Sequence, residues 1–364
     1  MLENKTFKIV EKFKLFICIA LVVVLIGGVF MIVNAASGKN VMNFGIDFTG
    51  GAVIDIDLGS FATKEENKKV IDETVKGVIT ENGYKIAGGE MQYSPLSDGG
   101  ATYTYRLEYF KNGVVINGKE EGEAFLDEID KVLRIEIRDT LNELFETDPA
   151  FVAADASLVD ESGKTAINTY GVSATASNSL IGRALIALLV AIVVMLIYIV
   201  IRFTASSALA AVCALVHDVL IMVALTTVFN IAVNSTFVAA VITIVGYSIN
   251  ATIIIFDRIR EELKTSSAKE KTDTEIANLA IKDTLNRTIL TTVTTLVMVV
   301  TLALLSVATI TEFIVPIIFG LLAGAFSSIL LAPSIWVAFR KVAKAIKEKK
   351  EKKTGYSGKK ADEQ

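Results

Sequence analysis

Charged and hydroxyl side chains stranded in apolar sequence are where this chain could do chemistry. Asp218 lies near the middle of one apolar run and follows His217, the chain's single histidine. An ionisable group inside a bilayer is costly, so it marks a functional site by default. Asp218 either carries a proton or cation, or packs as a protonated or hydrogen-bonded residue; the first role is preferred. For His217 the preferred reading is a neutral imidazole hydrogen-bonded between helices. A second run contains Gly246-Tyr247-Ser248-Ile249-Asn250-Ala251-Thr252, in which Tyr247, Asn250 and Ala251 share a helix face. It ends Phe256-Asp257-Arg258-Ile259-Arg260-Glu261, a cluster that topology and snorkelling explain without a reaction. A third run starts Leu285-Asn286-Arg287-Thr288, and Thr288, Thr291, Thr292 and Thr295 continue it as a hydroxyl stripe. Such stripes usually pack helices in lipid; with Arg287 at its head this one could line a wet path. Gly320, Gly324, Ser327 and Ser328 give the last run a small-residue face for close helix packing.

Other chemistry is scarce. Cys18 and Cys213 both lie in apolar runs, which excludes a disulfide scaffold and a cysteine-rich zinc site. A Ser-His-Asp arrangement would have to use His217. The reading is therefore against soluble-style nucleophilic catalysis, with no cofactor and no metal site assigned.

Membrane-spanning helices must position these residues. The 364 residues are 52% hydrophobic and only 21% charged, and their mean hydropathy is +0.53. Such a composition excludes disorder for most of the chain. The net charge of −4 gives no bulk attraction to nucleic acid. A bilayer core of about 30 Å needs roughly 20 apolar residues. Six stretches are long enough: Phe16–Val33, Ala184–Ile201, Ser206–Phe229, Thr236–Phe256, Thr288–Val307 and Phe313–Phe339. Pro316 and Pro333 predict a tilt or kink in the last. Lys5, Lys8, Lys12 and Lys14 precede the first span, and Arg202, Arg258, Arg260, Lys264, Arg340, Lys341, Lys344 and Lys347 follow the even ones. The positive-inside rule then puts all of these groups, and both termini, in the cytoplasm, with Arg183 as a lone exception. Asn34-Ala35-Ala36-Ser37 resembles a cleavage site, but the preceding apolar run exceeds a usual signal-peptide core, so a retained anchor is expected.

This topology leaves one large extracytoplasmic segment, about Ala35 to Ser179, with 25 acidic and 13 basic residues. Ala52 to Leu58 alternates as a strand with Ile54, Ile56 and Leu58 on one face. Thr63 and Glu66 have the spacing of a capping box, and Val70, Ile71, Val75, Val78 and Ile79 form the stripe of the helix behind them. Tyr103, Tyr105, Leu107 and Tyr109 predict a half-buried strand. Asn112-Gly113 predicts a turn into a short strand over Val114 to Asn117. A helix over Lys119 to Phe145, with Leu126, Ile129, Leu133, Ile137, Leu141 and Leu144 near one face, and a strand over Ala166 to Val172 complete the series. The order fits a β-α-β-β-α-β sandwich of ferredoxin-like type. The segment opens Phe44-Gly45-Ile46-Asp47-Phe48-Thr49-Gly50-Gly51; on spacing alone this is a tight turn joining the first span to the sheet. The expected domains are 1–34, a cytoplasmic N-terminus and first span; 35–179, an extracytoplasmic α+β domain; 180–340, five spans; and 341–364, a basic cytoplasmic tail.

Taken together, these motifs resemble the SecF family, the smaller membrane subunit of the SecDF accessory complex for bacterial protein export. The stretch from Phe44 to Gly51 is similar to the family's motif after the first span, with Gly45, Asp47, Thr49, Gly50 and Gly51 at its motif positions. Ala214-Leu215-Val216-His217-Asp218-Val219 resembles its third-span motif. Gly246-Tyr247-Ser248-Ile249-Asn250, with Tyr247, and the boundary residues Asp257 and Arg258 resemble its fourth-span signature. Arg287-Thr288 and the stretch from Gly324 to Pro333 resemble its fifth and sixth spans.

The resemblance implies a non-enzymatic accessory role in the Sec pathway, in the bacterial cell membrane. The implied partners are a SecD-like subunit, the SecYEG channel, the lipid bilayer and the translocating polypeptide. It also implies kinship with the RND superfamily and use of an ion gradient. One departure stands out: the family usually has aspartate directly after the fourth-span asparagine, and here that residue is Ala251. Its partner arginine is retained as Arg287. Coupling then rests on carboxylates of the partner subunit, on Asp218, or on sodium held by oxygens of Asn250 and threonines such as Thr291 and Thr295. A half-size RND-type exporter of lipids or small molecules, and a scaffold without ion coupling, are the alternatives.

Overall fold

The computed structural model describes residues 8–37, 40–58, 61, 63–87, 91–95, 100–116, 119–145, 167–172, 174–266, 270–304 and 308–361. Among the described residues six helices are long and apolar enough to cross a membrane: Val10–Ala36, Gly182–Arg202, Ala205–Val228, Ser235–Lys264, Asp273–Leu304 and Glu312–Ile346. They contain the six expected spans, except for Phe229, which caps the third helix, and 305–307, which lie outside the described residues.

The third, fourth and sixth spans are half-buried and form the centre of the bundle, whereas the first, second and fifth expose most of their length. Small residues decide this order. Ala208, Ala210, Ala211 and Ala214 bury one face of the third span. A Cβ on Gly320 would stand 2.5 Å from Ile244 Cγ1, and one on Gly27 would stand 2.4 Å from Ala224 Cβ. Side chains this small let helix backbones approach where hydrophobic burial gives lipid-embedded helices no advantage. The peripheral spans turn Leu25, Ile32, Leu189, Ile201, Leu290 and Met298 outward, as a hydrocarbon solvent allows.

Within the sixth span a π-helical turn, Ser327–Leu331, interrupts the regular ladder before Pro333. Proline has no N–H to return to the carbonyl four residues back, and the wider turn accommodates that loss. Both Ser327 and Ser328 are fully buried there.

Polar contacts gather at the Arg-rich end of the bundle. Asn278 accepts hydrogen bonds from the backbone N–H groups of Ile9 and Val10 and donates to Glu11. Asp273 pairs with Arg340 and Lys344, Arg202 with Asp257, and Arg258 with Asp283, Glu261 and Glu262.

Between the first and second spans lies a small antiparallel sheet with the order β2-β4-β1-β6. The strands are β1 (Gly51–Asp57), β2 (Tyr84–Ile86), β3 (Gln92–Pro95), β4 (Ala101–Lys111), β5 (Val114–Val115) and β6 (Ile167–Val172), and β3 and β5 both pair with β4. Ile54 stands opposite Tyr105 and Ile56 opposite Tyr103, so their side chains share a face. Helix Glu65–Glu81 covers that face with Ile71, Val75, Val78 and Ile79. Ile129, Leu133, Ile137 and Leu141 come from the helical stretch Lys119–Phe145.

Several expectations need correction. The strand between the two helices that flanks β4 in the main path is β2, not the Val114 segment, which is only a two-residue hairpin arm after the Asn112-Gly113 turn. Helix Glu65–Glu81 takes Lys64 as its N-cap, with no side-chain cap, so the Thr63/Glu66 box does not form. Such a box does form at Thr272 and Glu275, at the start of the fifth span. Val70 and Leu144 are exposed, and Phe125 and Phe145 fill the core instead. The long helix is interrupted by a π turn at Ile129–Leu133. Asn117 and Ala166, the expected limits of two strands, lie outside the described residues.

Candidate functional site

Three central spans converge on Asp218, which is 1% exposed. Ser248 of the fourth span donates a short hydrogen bond to Asp218 Oδ2. Ser327 of the sixth donates to the same oxygen at 2.9 Å. His217 Nδ1 lies 2.9 Å from Oδ1. Each contact has a local cause. Gly324 lets Ser248 close in, since a Cβ there would stand 3.1 Å from Ser248 Cβ. The π turn carries Ser327 into the same space. A buried carboxylate survives only when its lone pairs are occupied, and these donors occupy them.

His217 bonds to its helical neighbour rather than across helices, which corrects the expectation. Its interhelical contact is a stack on the Phe326 ring, with centroids 5.8 Å apart. Its Nε2 is buried without a hydrogen-bond partner among the described residues. Asp218 and His217 are thus joined through Oδ1 and Nδ1, and the far ring nitrogen is left without a partner among the described residues. Two neutral hydroxyls and a carboxylate also make a hard oxygen set. Among the described residues no group of three or more His, Cys, Asp or Glu could hold a metal ion.

The other ion-pathway candidates do not join this centre. The side chains of Asn250 and Arg287 are exposed and make no hydrogen bond or ion pair to a described residue. Thr291 is exposed and returns its hydroxyl to the Arg287 carbonyl at 2.9 Å. Tyr247 donates to Thr295 at 3.3 Å, which ties the fourth span to the fifth. Thr288 and Thr292 turn inward, and the Thr288 hydroxyl is buried without a partner among the described residues. The threonine stripe therefore splits between a packing face and an outward face. Ala251 is buried, so a carboxylate there would enter the bundle. Asp257 and Arg258 belong to the ion-pair cluster at the Arg-rich end.

The Gly-rich motif, expected as a tight turn, is a single short helix, Ile46–Thr49, between Gly45 and Gly50, and it is also a clasp. Gly45 N–H donates to the Val233 carbonyl at 2.8 Å, and Val233 N–H donates to the Asn43 carbonyl at 2.7 Å. Asn43 reaches the Asn230 carbonyl at 3.0 Å. Asp47 accepts the Ser235 N–H at 2.9 Å, at the start of the fourth span, where exposed N–H groups favour a negative charge. The Asn234 side chain caps the same helix at Phe237 N–H. Thr49 turns its hydroxyl back to the carbonyls of Gly45 and Gly50. Gly50 has φ of 71° and Gly51 of 135°, and a Cβ on Gly51 would stand 2.1 Å from the Leu107 carbonyl oxygen. Only glycine fits there.

A second tie joins sheet to bundle. Arg106 of β4 pairs with Glu312 at the head of the sixth span, and Asn234 donates to the same carboxylate. Sequence reading missed this pair. Arg106 looked like the polar side of an alternating strand, and Glu312 fell just outside an apolar run. On the sheet, burial pushes the Asp55 carboxyl above its ordinary 3.8, although Thr104, Arg106 and Tyr170 all favour its charge. Thr104 donates to it at 2.6 Å. Burial and the Asp55 charge push the Tyr170 hydroxyl up to about 12.

Comparison with known proteins falls on both regions. The pattern described as protein export membrane protein SecD/SecF, C-terminal, matches residues 154–342. That is more than half the chain. The chain belongs to the SecD/SecF family. The family's GG motif matches residues 35–59, the segment that forms the clasp. Protein translocase subunit SecF of Borreliella burgdorferi is 30% identical over 293 residues, which is 80% of this chain and 85% of that protein. Protein translocase subunit SecDF of Bacillus subtilis is 38% identical over 174 residues, which is 48% of this chain and 24% of the relative. The crystal structure of SecDF from Thermus thermophilus shares the fold, with a TM-score of 0.64 at 24% identity, over 94% of this chain and 40% of that one. This family member is a multi-pass membrane protein, and its relatives are named as translocase subunits, not as enzymes.

Proposed function

We propose that this chain is an accessory subunit of bacterial Sec protein export, working beside a SecD-like subunit at the SecYEG channel. It would assist the translocating polypeptide by drawing on an ion gradient. The relatives named as SecF and SecDF translocase subunits support export over the exporter of lipids or small molecules. The basic residues at the ends of the even spans support cytoplasmic termini and an extracytoplasmic sheet domain. The domain limits 1–34, 35–179, 180–340 and 341–364 follow from that orientation. The sheet order β2-β4-β1-β6, with helices after β1 and β5, supports a ferredoxin-like reading of the sheet domain.

The observation that carries ion coupling is Asp218, buried where three spans meet and satisfied by two serine hydroxyls and a histidine. Protonation or cation binding at that carboxylate changes which donors it needs, and so biases how the third, fourth and sixth spans pack. Asn250, Arg287 and Thr291 face outward, separate from that centre, beside the half-buried Tyr247–Thr295 pair. A SecD-like subunit would cover this outward face and bring its own carboxylates to Arg287, whereas Ala251 is buried and does not reach that face. Export assays of Asp218→Asn and Ala251→Asp, with proton and sodium gradients varied separately, test both parts. Export lost in Asp218→Asn under a full proton gradient is the expected result. Wild-type export by that variant removes Asp218 from the pathway, and indifference to sodium removes the sodium route.

A further inference from the structure

An apolar cavity between the Gly-rich clasp and the bundle has no part in the reading above. It has a volume of about 420 Å³, within the range of small-ligand sites. Phe44 and Phe48 form one wall, Leu185 and Leu188 of the second span another, and Phe237 and Val241 of the fourth span the third. Among the described residues Thr49 is the single polar member of the lining, and its hydroxyl is already directed to the carbonyls of Gly45 and Gly50. Water would find almost no partners there.

Two observations say what the cavity meets. Leu185 lines it and is also 61% exposed, and Leu189, Val193 and Ile197 continue the same outward stripe at four-residue spacing. The cavity is therefore continuous with a surface that faces hydrocarbon. Its depth is marked by Arg183, an exposed cation directly before the first lining residue of the second span. A guanidinium stays at headgroup level because the membrane interior is costly to it. The lining from 184 to 188 then spans only the first ~8 Å of hydrocarbon, at 1.5 Å per helical residue.

We propose that this cavity holds one acyl chain of a bilayer phospholipid. The chain enters past Leu185 and packs against Phe48, between the Ile46–Thr49 helix and the second and fourth spans. It would act as a filler under the clasp, so that bilayer composition bears on how firmly the sheet domain is seated. The inference rests on the chain's spanning a membrane and is independent of which ion, if any, passes Asp218.

Quenching by bromine on lipid chains tests it. The full chain is placed in nanodiscs of phosphatidylglycerol with dibrominated acyl chains, and in unbrominated discs as reference. Native Trp336, 1% exposed, is the protected standard. In a Trp336→Phe background, Leu189→Trp reports the outward stripe and Phe237→Trp the cavity; Phe48→Trp is a second reporter on the opposite wall. The expected result is loss of fluorescence from a cavity reporter close to that of Leu189→Trp and well beyond that of Trp336. Adding Val241→Phe, which narrows the cavity, should protect the cavity reporters and leave Leu189→Trp quenched. Cavity reporters as protected as Trp336 would overturn the proposal. So would quenching that Val241→Phe leaves unchanged, or protection that appears once a SecD-like subunit occupies the site.

Discussion

Asp218 and Arg287 are both charged residues within membrane-spanning helices, and the fold treats them oppositely. Asp218 is closed off by donors from three spans of its own chain, whereas Arg287 faces outward with no partner among the described residues. The first site is complete as it stands. The second is open, and on the proposed reading a SecD-like subunit would meet the guanidinium, which a lipid-facing position penalises. The difference separates a polar centre that this chain builds from its own spans from a charged face that it leaves open.

That contrast can be broken by experiment. Asp218→Ala should have the largest effect: it strands the Ser248 hydroxyl and the His217 imidazole and leaves Ser327 only the Gly324 carbonyl, at a cost of about 2–4 kcal/mol. Thermal unfolding of the purified chain would measure this, and a loss no larger than that of a surface substitution would mean the centre is not closed. Arg106→Met should come next, at about 1–2 kcal/mol, because it leaves Glu312 buried beside Asn234 while its own partial exposure screens the pair. Faster hydrogen exchange confined to β1 and β4 would be its signature. Ser327→Ala should cost about 1 kcal/mol. Combined with Ser248→Ala it should be non-additive, since both hydroxyls share one carboxylate oxygen. Arg287→Ala should stay within about 0.5 kcal/mol for the isolated chain, yet reduce co-purification of a SecD-like subunit. Full recovery of that subunit would show that the outward face is not its docking surface.

A pH test sharpens the same comparison outside the membrane. Burial raises the Asp55 carboxyl above 3.8. Stability from its protonated form is therefore fully present below the ordinary value and lost as pH rises through the raised one. Asp55→Asn should flatten the decline in sheet-domain stability from acid to neutral pH. A variant whose pH profile parallels the parent's would place that decline elsewhere.

Legibility in the sequence followed periodicity. Apolar runs located the six spans because hydrocarbon must be matched over the whole length of a helix. Strict alternation located β1 and β4. β2 and β3 escaped because they are three and four residues long, too short for a period-two signal. The Thr63/Glu66 box was a false signal: the right residues stood one position away from where the helix begins.

The candidate site was legible residue by residue and not as a constellation. Asp218, Ser248 and Ser327 were each visible in a motif or on a small-residue face, yet nothing in their spacing says that they meet. They lie 30 and 109 positions apart. By itself, then, the sequence determined the number of spans, the Gly-rich turn and which residues hydrocarbon would penalise, because each depends on local composition and backbone freedom. Tertiary structure alone decided that Asp218 is enclosed, that Arg287 faces outward, and that Arg106 reaches Glu312. Those outcomes depend on which helix faces approach closely, and small residues and a π turn distributed across distant segments set that approach.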